Sequence, residues 1–192
     1  MMFFTADNHY DHANIIDLCN RPYESVEHMN EDMIEKWNNK LTNNDDIIIA
    51  GDMFFRSQAP EAILRRLKGK KHLIIGNHDT WIKKVDVDKY FKEVSHYLVT
   101  NDGRHGLVIC HYPQVSWPHA QRFYMVHGHI HADTRSDYWP LLVARDRVLN
   151  AGVDINGFEP VTFEEMLENN IRFKAAHPCA TPREGVYIDG QN

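Results

Sequence analysis

Five short groups of residues along the 192-residue chain carry side chains that bind cations. They are Asp7 and His9 as D-x-H, Asp52 after Gly51, Gly76-Asn77-His78-Asp79, His111, and Gly128-His129-Ile130-His131. Carboxylate, imidazole and amide oxygen are hard-to-borderline donors, a combination that suits Zn, Fe, Ni or Mn. The three cysteines, Cys19, Cys110 and Cys179, stand outside these groups at no zinc spacing, which argues against a structural zinc or iron–sulfur site. One ion takes about three to four protein ligands. The set offers about seven, enough for two ions sharing a carboxylate. The chain has 13 histidines in all, and histidine is both the commonest metal ligand and the commonest acid–base group near neutral pH. Glycines before Asp52, Asn77 and His129 permit the tight turns and close backbone approach that such a site needs.

Each group follows an apolar run. Met1 to Ala6 reads as a strand running into Asp7. Ser25 is the expected N-cap of a helix over 26–40, with Val26, Met29, Met33 and Trp37 on one face. Ile47-Ile48-Ile49-Ala50 suits a strand buried on both faces. Pro60 opens a second helix with Ile63, Leu64 and Leu67 inward and Gly69 as its stop. His72-Leu73-Ile74-Ile75 is another buried strand. This alternation is that of an α/β layered fold. Further on, His96 to Thr100, an Asp102-Gly103 turn and Leu107 to Cys110 read as a hairpin. Phe123 to Val126 and Val148 to Ala151 read as strands, and a helix over 162–170 follows Pro160. The donor groups therefore stand at five strand ends, and ligands of α/β sheets gather beyond the carboxyl ends of the strands. Past about 172 no periodicity remains, and Pro178, Pro182, Gly185 and Gly190 suggest a loosely packed tail. One domain over 1–171 and a tail over 172–192 are expected.

Composition narrows the class. Charged residues are 25% and hydrophobic ones 43%, ordinary for a soluble globular domain. The net charge of −6 disfavours a protein whose main task is gripping a phosphate backbone. No apolar run reaches membrane-spanning length, and the opening Met1-Met2-Phe3-Phe4-Thr5-Ala6-Asp7 lacks the basic region and apolar stretch of a signal peptide. Three cysteines fit a reducing compartment, so a cytoplasmic location is expected.

The five groups, in this order, resemble the calcineurin-like metallophosphoesterases over about residues 1–160. Asp7-Asn8-His9-Tyr10-Asp11-His12 with Asn14-Ile15-Ile16 and Arg21-Pro22 is most similar to small bacterial and phage members. The resemblance implies an α/β fold of four layers, an α/β/β/α sandwich of two mixed β-sheets flanked by helices, with the site at one edge. It implies two divalent ions, Mn²⁺ foremost, with Ni²⁺, Fe²⁺ or Zn²⁺ as alternatives. Asp7, His9, Asp52 and His131 would hold one; Asp52, Asn77, His111 and His129 would hold the other, with Asp52 bridging. His78 would face the substrate, protonating the leaving oxygen or stabilising phosphoryl charge, and Asp79 would orient it. The implied reaction is attack of a metal-bridging hydroxide on a phosphodiester or phosphomonoester, the diester foremost, of a small or nucleotide substrate. One stretch departs from the family. Many members carry an acidic or aspartate–arginine pair soon after the Gly-Asp element, where this chain has Met53-Phe54-Phe55-Arg56.

His12, Asn77 and Arg56 are the expected substrate contacts. Arg21 and Arg56 suit phosphate oxygens, against a competing reading of each as a surface ion pair. His127 reads as structural, and His28, His72, His96, His105 and His177 as surface residues. His119 follows Pro118 in an expected loop near the site. Trp37 reads as core, and Trp117 and Trp139 as structural rather than base-stacking. Asn150-Ala151-Gly152-Val153-Asp154 resembles a closing strand of structural role. Two other functions compete. A nuclease would use the same chemistry, but the net charge and the length count against it, and Arg65-Arg66-Lys68-Lys70-Lys71 reads as a solvated face. A non-catalytic scaffold would be expected to have lost donors, and none is lost. The expected partner is a small-molecule phosphoester, with neither membrane nor nucleic acid; oligomeric state is not readable.

Overall fold

The computed structural model describes residues 1–179. Strands and helices alternate through its first half: β1 (Met2–Thr5), α1 (Ile15–Leu18), α2 (Val26–Lys40), β2 (Asp46–Ile49), α3 (Pro60–Leu64), β3 (Lys70–Ile74) and β4 (Phe91–Ser95). Then follow β5 (Leu98–Asn101), β6 (Gly106–Ile109), β7 (Tyr124–His127), α4 (Trp139–Val143), β8 (Val148–Asn150) and α5 (Phe163–Ala176). Two four-stranded sheets result, ordered β1-β2-β3-β4 and β5-β6-β7-β8. The first is parallel throughout. In the second, β5 runs antiparallel to β6 and the remaining pairs are parallel. The expected pair of sheets flanked by helices is thus present, with the antiparallel component of the first confined to a bridge between Phe4 of β1 and Val161. A crossover of two short 3₁₀ turns, Asp79–Lys84 and Val87–Lys89, returns the chain so that β4 enters beside β3 in the same direction.

Strand periodicity builds the layers, because alternate side chains point to opposite faces. Phe3, Ile47, Ile49 and Leu73 face one core with Met29, Met33 and Trp37 of α2 and Ile63 and Leu64 of α3. Their neighbours Phe4, Ile48 and Ile74 face Leu107, Ile109, Val126 and Leu149 of the second sheet, with Phe163 and Met166 of α5 at the margin. Val108, Met125 and Val148 turn outward against Trp117, Trp139 and Leu142. Two sheets therefore stack between helices, with three apolar layers separating four of backbone. Each fully buried side chain of this size contributes about 1.5–3 kcal/mol relative to exposure. Ser25 caps α2 by accepting from the His28 N–H at 3.1 Å. Thr162 and Glu165 form a reciprocal capping box on α5.

Three elements escape the sequence reading. β4 buries only Phe91 fully, so no apolar run marks it. The short α1 and α4 offer too few turns for a period to register. α3 ends at Leu64, earlier than expected, although Leu67 is buried and Gly69 turns the chain at φ +91°. α5 runs past Asn170 to Ala176. Phe173 packs against Trp139 with ring centroids 5.7 Å apart, and the Trp139 indole N–H donates to the His177 carbonyl at 3.0 Å. The start of the expected tail is therefore helix docked on the core, and its residues 180–192 lie outside the described residues. Among the described residues, no helix is long and apolar enough to cross a membrane.

Candidate metal centre

Asp7 and His9 leave the carboxyl end of β1, Asp52 that of β2, and Asn77 and His78 that of β3. His111 leaves β6, and His129 and His131 leave β7. The exits from β1 and β2 continue side by side: the His9 N–H donates to the Asp52 carbonyl at 3.1 Å, and the Tyr10 N–H to that of Met53 at 3.0 Å. The two sheets meet here. The His129 N–H donates to the Asp7 carboxylate at 2.9 Å, and Gly128 rides so close over β1 that a Cβ on it would lie 2.7 Å from the Ala6 Cβ and 3.0 Å from the Ala50 carbonyl. Five of the expected donors, Asp7, His9, Asp52, His129 and His131, have φ between +49° and +73°. Non-glycine residues rarely adopt this region, and such strain concentrates at functional sites.

The seven expected donors converge. Asp7, His9 and His131 offer ligand atoms within 4.8 Å of one another, as do Asp52, His111 and His129. One Asp52 carboxylate oxygen lies 3.3 Å from Nε2 of His111 and 3.7 Å from Nε2 of His9, between the two groups. Oδ1 of Asn77 lies 3.0 Å from both His111 Nε2 and His129 Nδ1. The residues fit a pair of divalent cations. Nε2 of His9 is buried without a hydrogen-bond partner, a cost that a cation would remove. Burial holds the Asp7 carboxyl up at about 6, and burial with the neighbouring His131 takes His9 down to about 2. Burial also opposes charge on Asp52, yet the hydrogen bond with His111 keeps its carboxylate below the usual range.

His131 is held from behind. Its Nδ1 lies 2.8 Å from Oδ2 of Asp154; burial alone would lower the imidazole, but the hydrogen bonds with Asp154 and Cys19 and the charges of Asp7 and Asp154 together lift it to about 10. Nε of Arg21 donates to Asp154 Oδ1 at 2.8 Å and one terminal nitrogen to Oδ2 at 3.1 Å. The same guanidinium donates to the carbonyls of Asp7 at 2.7 Å and Asn8 at 2.9 Å. Arg21 is thus a buried clamp, not a surface pair, because the fold closes Asp154 over it. Cys19, His131 and Asp154 also cluster, but Arg21 occupies both Asp154 oxygens, which makes that group an orienting network.

The Asp79 carboxylate makes no hydrogen bond to the His78 ring. This buried carboxylate accepts the N–H groups of Asp52, Met53 and Gly76 and the Trp81 indole, all at 2.8–2.9 Å. It ties the β2 and β3 exits together because it starts a 3₁₀ turn pointing back under the loop. His78 is 40% exposed at its side chain, with Nε2 4.0 Å from Asp52 Oδ2. His12 is buried, stacked on Phe55 at 3.8 Å, with Nδ1 3.4 Å from that of His9. Arg56 is exposed over the Phe55 ring at 5.2 Å. The departing stretch is core: Met53 and Phe54 are buried, and Phe54 packs edge-on to Trp81. His127 is buried among apolar strands, and His119 lies against Phe123. His72 and His105 are half-buried, the latter stacked on Phe163. Trp117 and Trp139 are core residues. Sequence reasoning missed Asp154 and Tyr112, whose half-exposed ring meets that of His129 edge-on at 4.5 Å.

The sequence model of the calcineurin-like phosphoesterases matches residues 2–180. The chain belongs to the calcineurin-like phosphoesterase family. This phosphoesterase is 30% identical over 166 residues to the uncharacterized protein MJ1445 of Methanocaldococcus jannaschii, covering 85% of this chain and 87% of that one. Its fold is similar to that of AQ665 from Aquifex aeolicus, a protein of unknown function, with TM-score 0.69 and 23% identity, over 88% of this chain and 98% of that one. A more distant likeness, TM-score 0.46 and 22% identity, covers 68% of this chain and 61% of the nuclease MPE of Pseudomonas putida. The phosphoesterase thus has candidate metal ligands at the carboxyl edge of two stacked sheets, where a hydrolase of this family would work.

Proposed function

We propose that this phosphoesterase binds two divalent cations and hydrolyses phosphoesters, diesters foremost, of small or nucleotide substrates. The observation that carries the reading is the Asp52 carboxylate standing between two donor groups, 3.3 Å from His111 Nε2 and 3.7 Å from His9 Nε2. Asp7, His9 and His131 would hold one cation, His111, His129 and Asn77 the other, and Asp52 both. The donor set suits Mn²⁺ first and accommodates Ni²⁺, Fe²⁺ or Zn²⁺. Bound there, the pair would neutralise phosphoryl charge and lower the pKa of water. The chain's own groups do the rest. The His78 N–H donates to Asp52 Oδ1 at 2.8 Å, which fixes the backbone while the imidazole stays at the surface to carry a proton to the leaving oxygen. Asp79 holds the loop that carries His78, a positioning role in place of direct contact. His12 walls the site beside His9, and Arg56 stands past Phe55 with a guanidinium free for a phosphoryl oxygen.

Elemental analysis of protein loaded with Mn²⁺ should find two ions per chain, and an aryl phosphodiester should turn over. His78→Ala should keep both ions and lower kcat by about 10²–10⁴-fold. Absence of turnover of diester and monoester with Mn²⁺, Ni²⁺, Fe²⁺ and Zn²⁺ alike rejects the reading. An unchanged kcat in His78→Ala removes that residue from proton transfer.

A further inference from the structure

Beside the candidate metal centre lies an open cleft of about 460 Å³. Its inner wall is His129 and His131, so a molecule in the cleft touches two proposed ligands. Its outer walls come from distant parts of the chain, the turn after α1 and the loop between β7 and α4. We propose that this cleft is the subsite for the second ester arm of a phosphodiester, and that the arm is an uncharged group with the size and chemistry of a nucleoside. The assignment rests on the metal-centre reading above and deepens it, by placing the second arm in this cleft and narrowing it to a nucleoside-sized group.

The lining sets that chemistry. Arg135 is the cation of the outer wall, and Asp133 lies 3.6 Å from it, so the wall carries little net charge. A second phosphate gains little there. Leu18 presents an isobutyl group that is 74% exposed, an apolar face without a protein partner. Asn20, Thr134 and Tyr138 add hydrogen-bonding groups around it. An apolar face with polar edges matches a nucleobase on its sugar, and the volume lies in the range of small-molecule sites, about 300–1,000 Å³. A methyl group would leave most of it to water.

The walls are already built. Asp133 accepts the Arg135 N–H at 3.0 Å and the Tyr138 hydroxyl at 3.1 Å, and it also bonds Ser136, which fixes the 133–138 loop. On the other side the Arg21 N–H closes the turn onto the Ile16 carbonyl at 2.8 Å. A prebuilt subsite spares the ordering cost of binding. His78 does not line this cleft. The centre therefore opens in two directions, toward His78 for the leaving oxygen and into the cleft for the arm that stays on phosphorus. A monoester has only the first arm.

Three substrates with one leaving group separate these terms: 4-nitrophenyl phosphate, methyl 4-nitrophenyl phosphate, and the 4-nitrophenyl ester of thymidine 5′-monophosphate. With the Mn²⁺-loaded protein, KM for the thymidine diester should lie about tenfold or more below that for the methyl diester. Thr134→Trp, which fills the cleft, should erase that difference and leave the other two substrates within about twofold of wild type. Leu18→Ala, at an exposed position that does not support the fold, should shift KM for the thymidine diester in the same direction. Equal KM values for the two diesters in wild type, or a difference that survives Thr134→Trp, overturns the proposal. Calorimetric titration with thymidine 5′-monophosphate reads the cleft without turnover. Binding that Thr134→Trp abolishes supports the assignment, and no binding to wild type at millimolar nucleotide overturns it. Intact nucleotide binding without turnover of any ester refutes the hydrolase reading while the cleft assignment stands.

Discussion

At the scale of single residues, the presentation of His131 is decided by a side chain that is not itself among the proposed ligands. Asp154 accepts from His131 Nδ1 at 2.8 Å and leaves Nε2 to face Asp7 and His9. Arg21 grips both Asp154 oxygens and the carbonyls of Asp7 and Asn8, so one guanidinium ties the D-x-H turn to the histidine opposite. A carboxylate behind a metal-binding histidine fixes its tautomer and orientation, and its loss typically costs about 10–100-fold in metal affinity. Asp154→Asn keeps the volume and one acceptor but loses the charge. It should weaken one of the two ions by about that factor and leave the ion at Asp52, His111 and His129 unchanged. Competition with a chromophoric chelator resolves the two affinities; equal weakening of both, or of neither, rejects the assignment. The donors themselves are legible in the sequence because each has the right chemistry directly after an apolar run. Asp154 is not, because it is 133 residues from Arg21 and 23 from His131, and only the fold supplies its partners.

At the scale of elements, the donors are held by strand exits that pass unusually close. β1 and β2 belong to one sheet and β7 to the other, and the His129 N–H crosses between sheets to the Asp7 carboxylate at 2.9 Å. Gly128 makes the crossing possible. A methyl group there would press on the Ala6 Cβ at 2.7 Å and the Ala50 carbonyl at 3.0 Å, both on rigid strand ends. Gly128→Ala should therefore destabilise the fold by about 1–3 kcal/mol, the usual cost of overpacking. Its chemical denaturation midpoint should fall, and its metal affinity with it; a midpoint equal to wild type refutes the close approach. The strands that build this edge are readable from their apolar runs, since Ile47, Ile48 and Ile49 are all buried with alternate faces used by different cores. β4 is not, because its Lys92 and Glu93 are exposed and its pairing is specified by β3 instead. The last turns of α5 are hidden for a related reason: of their apolar side chains Phe173 alone packs inward, onto Trp139, and one residue makes no period.

At the scale of the whole molecule, charge that the fold buries must be balanced by something that binds. Without cations the Asp7 carboxyl stands at about 6 through burial, and His131 at about 10, where burial is overcome by the hydrogen bonds with Asp154 and Cys19 and the charges of Asp7 and Asp154 together. Near neutral pH, His131 therefore carries a proton on Nε2, the atom a cation needs. The raised Asp7 value means that its contribution to stability is full below the ordinary 3.8 and is lost as pH rises through about 6. The raised His131 value works in the same sense, with a contribution full below 6.5 and lost as pH rises through about 10. Both groups thus favour the cation-free fold in its protonated form, and a cation competes directly with those protons. Uptake at the Asp7, His9 and His131 group should release about one proton per ion at pH 8, and apparent affinity should rise by about tenfold per pH unit between 7 and 9. Below about pH 6 a second proton, from Asp7, should steepen the dependence. Titration calorimetry in buffers of differing ionisation enthalpy counts the protons directly. The rise in melting temperature on adding Mn²⁺ should also grow from pH 6 to pH 8. A proton count near zero at pH 8, with affinity flat across that range, would show that His131 is not displaced by the cation and would remove it from the ligand set.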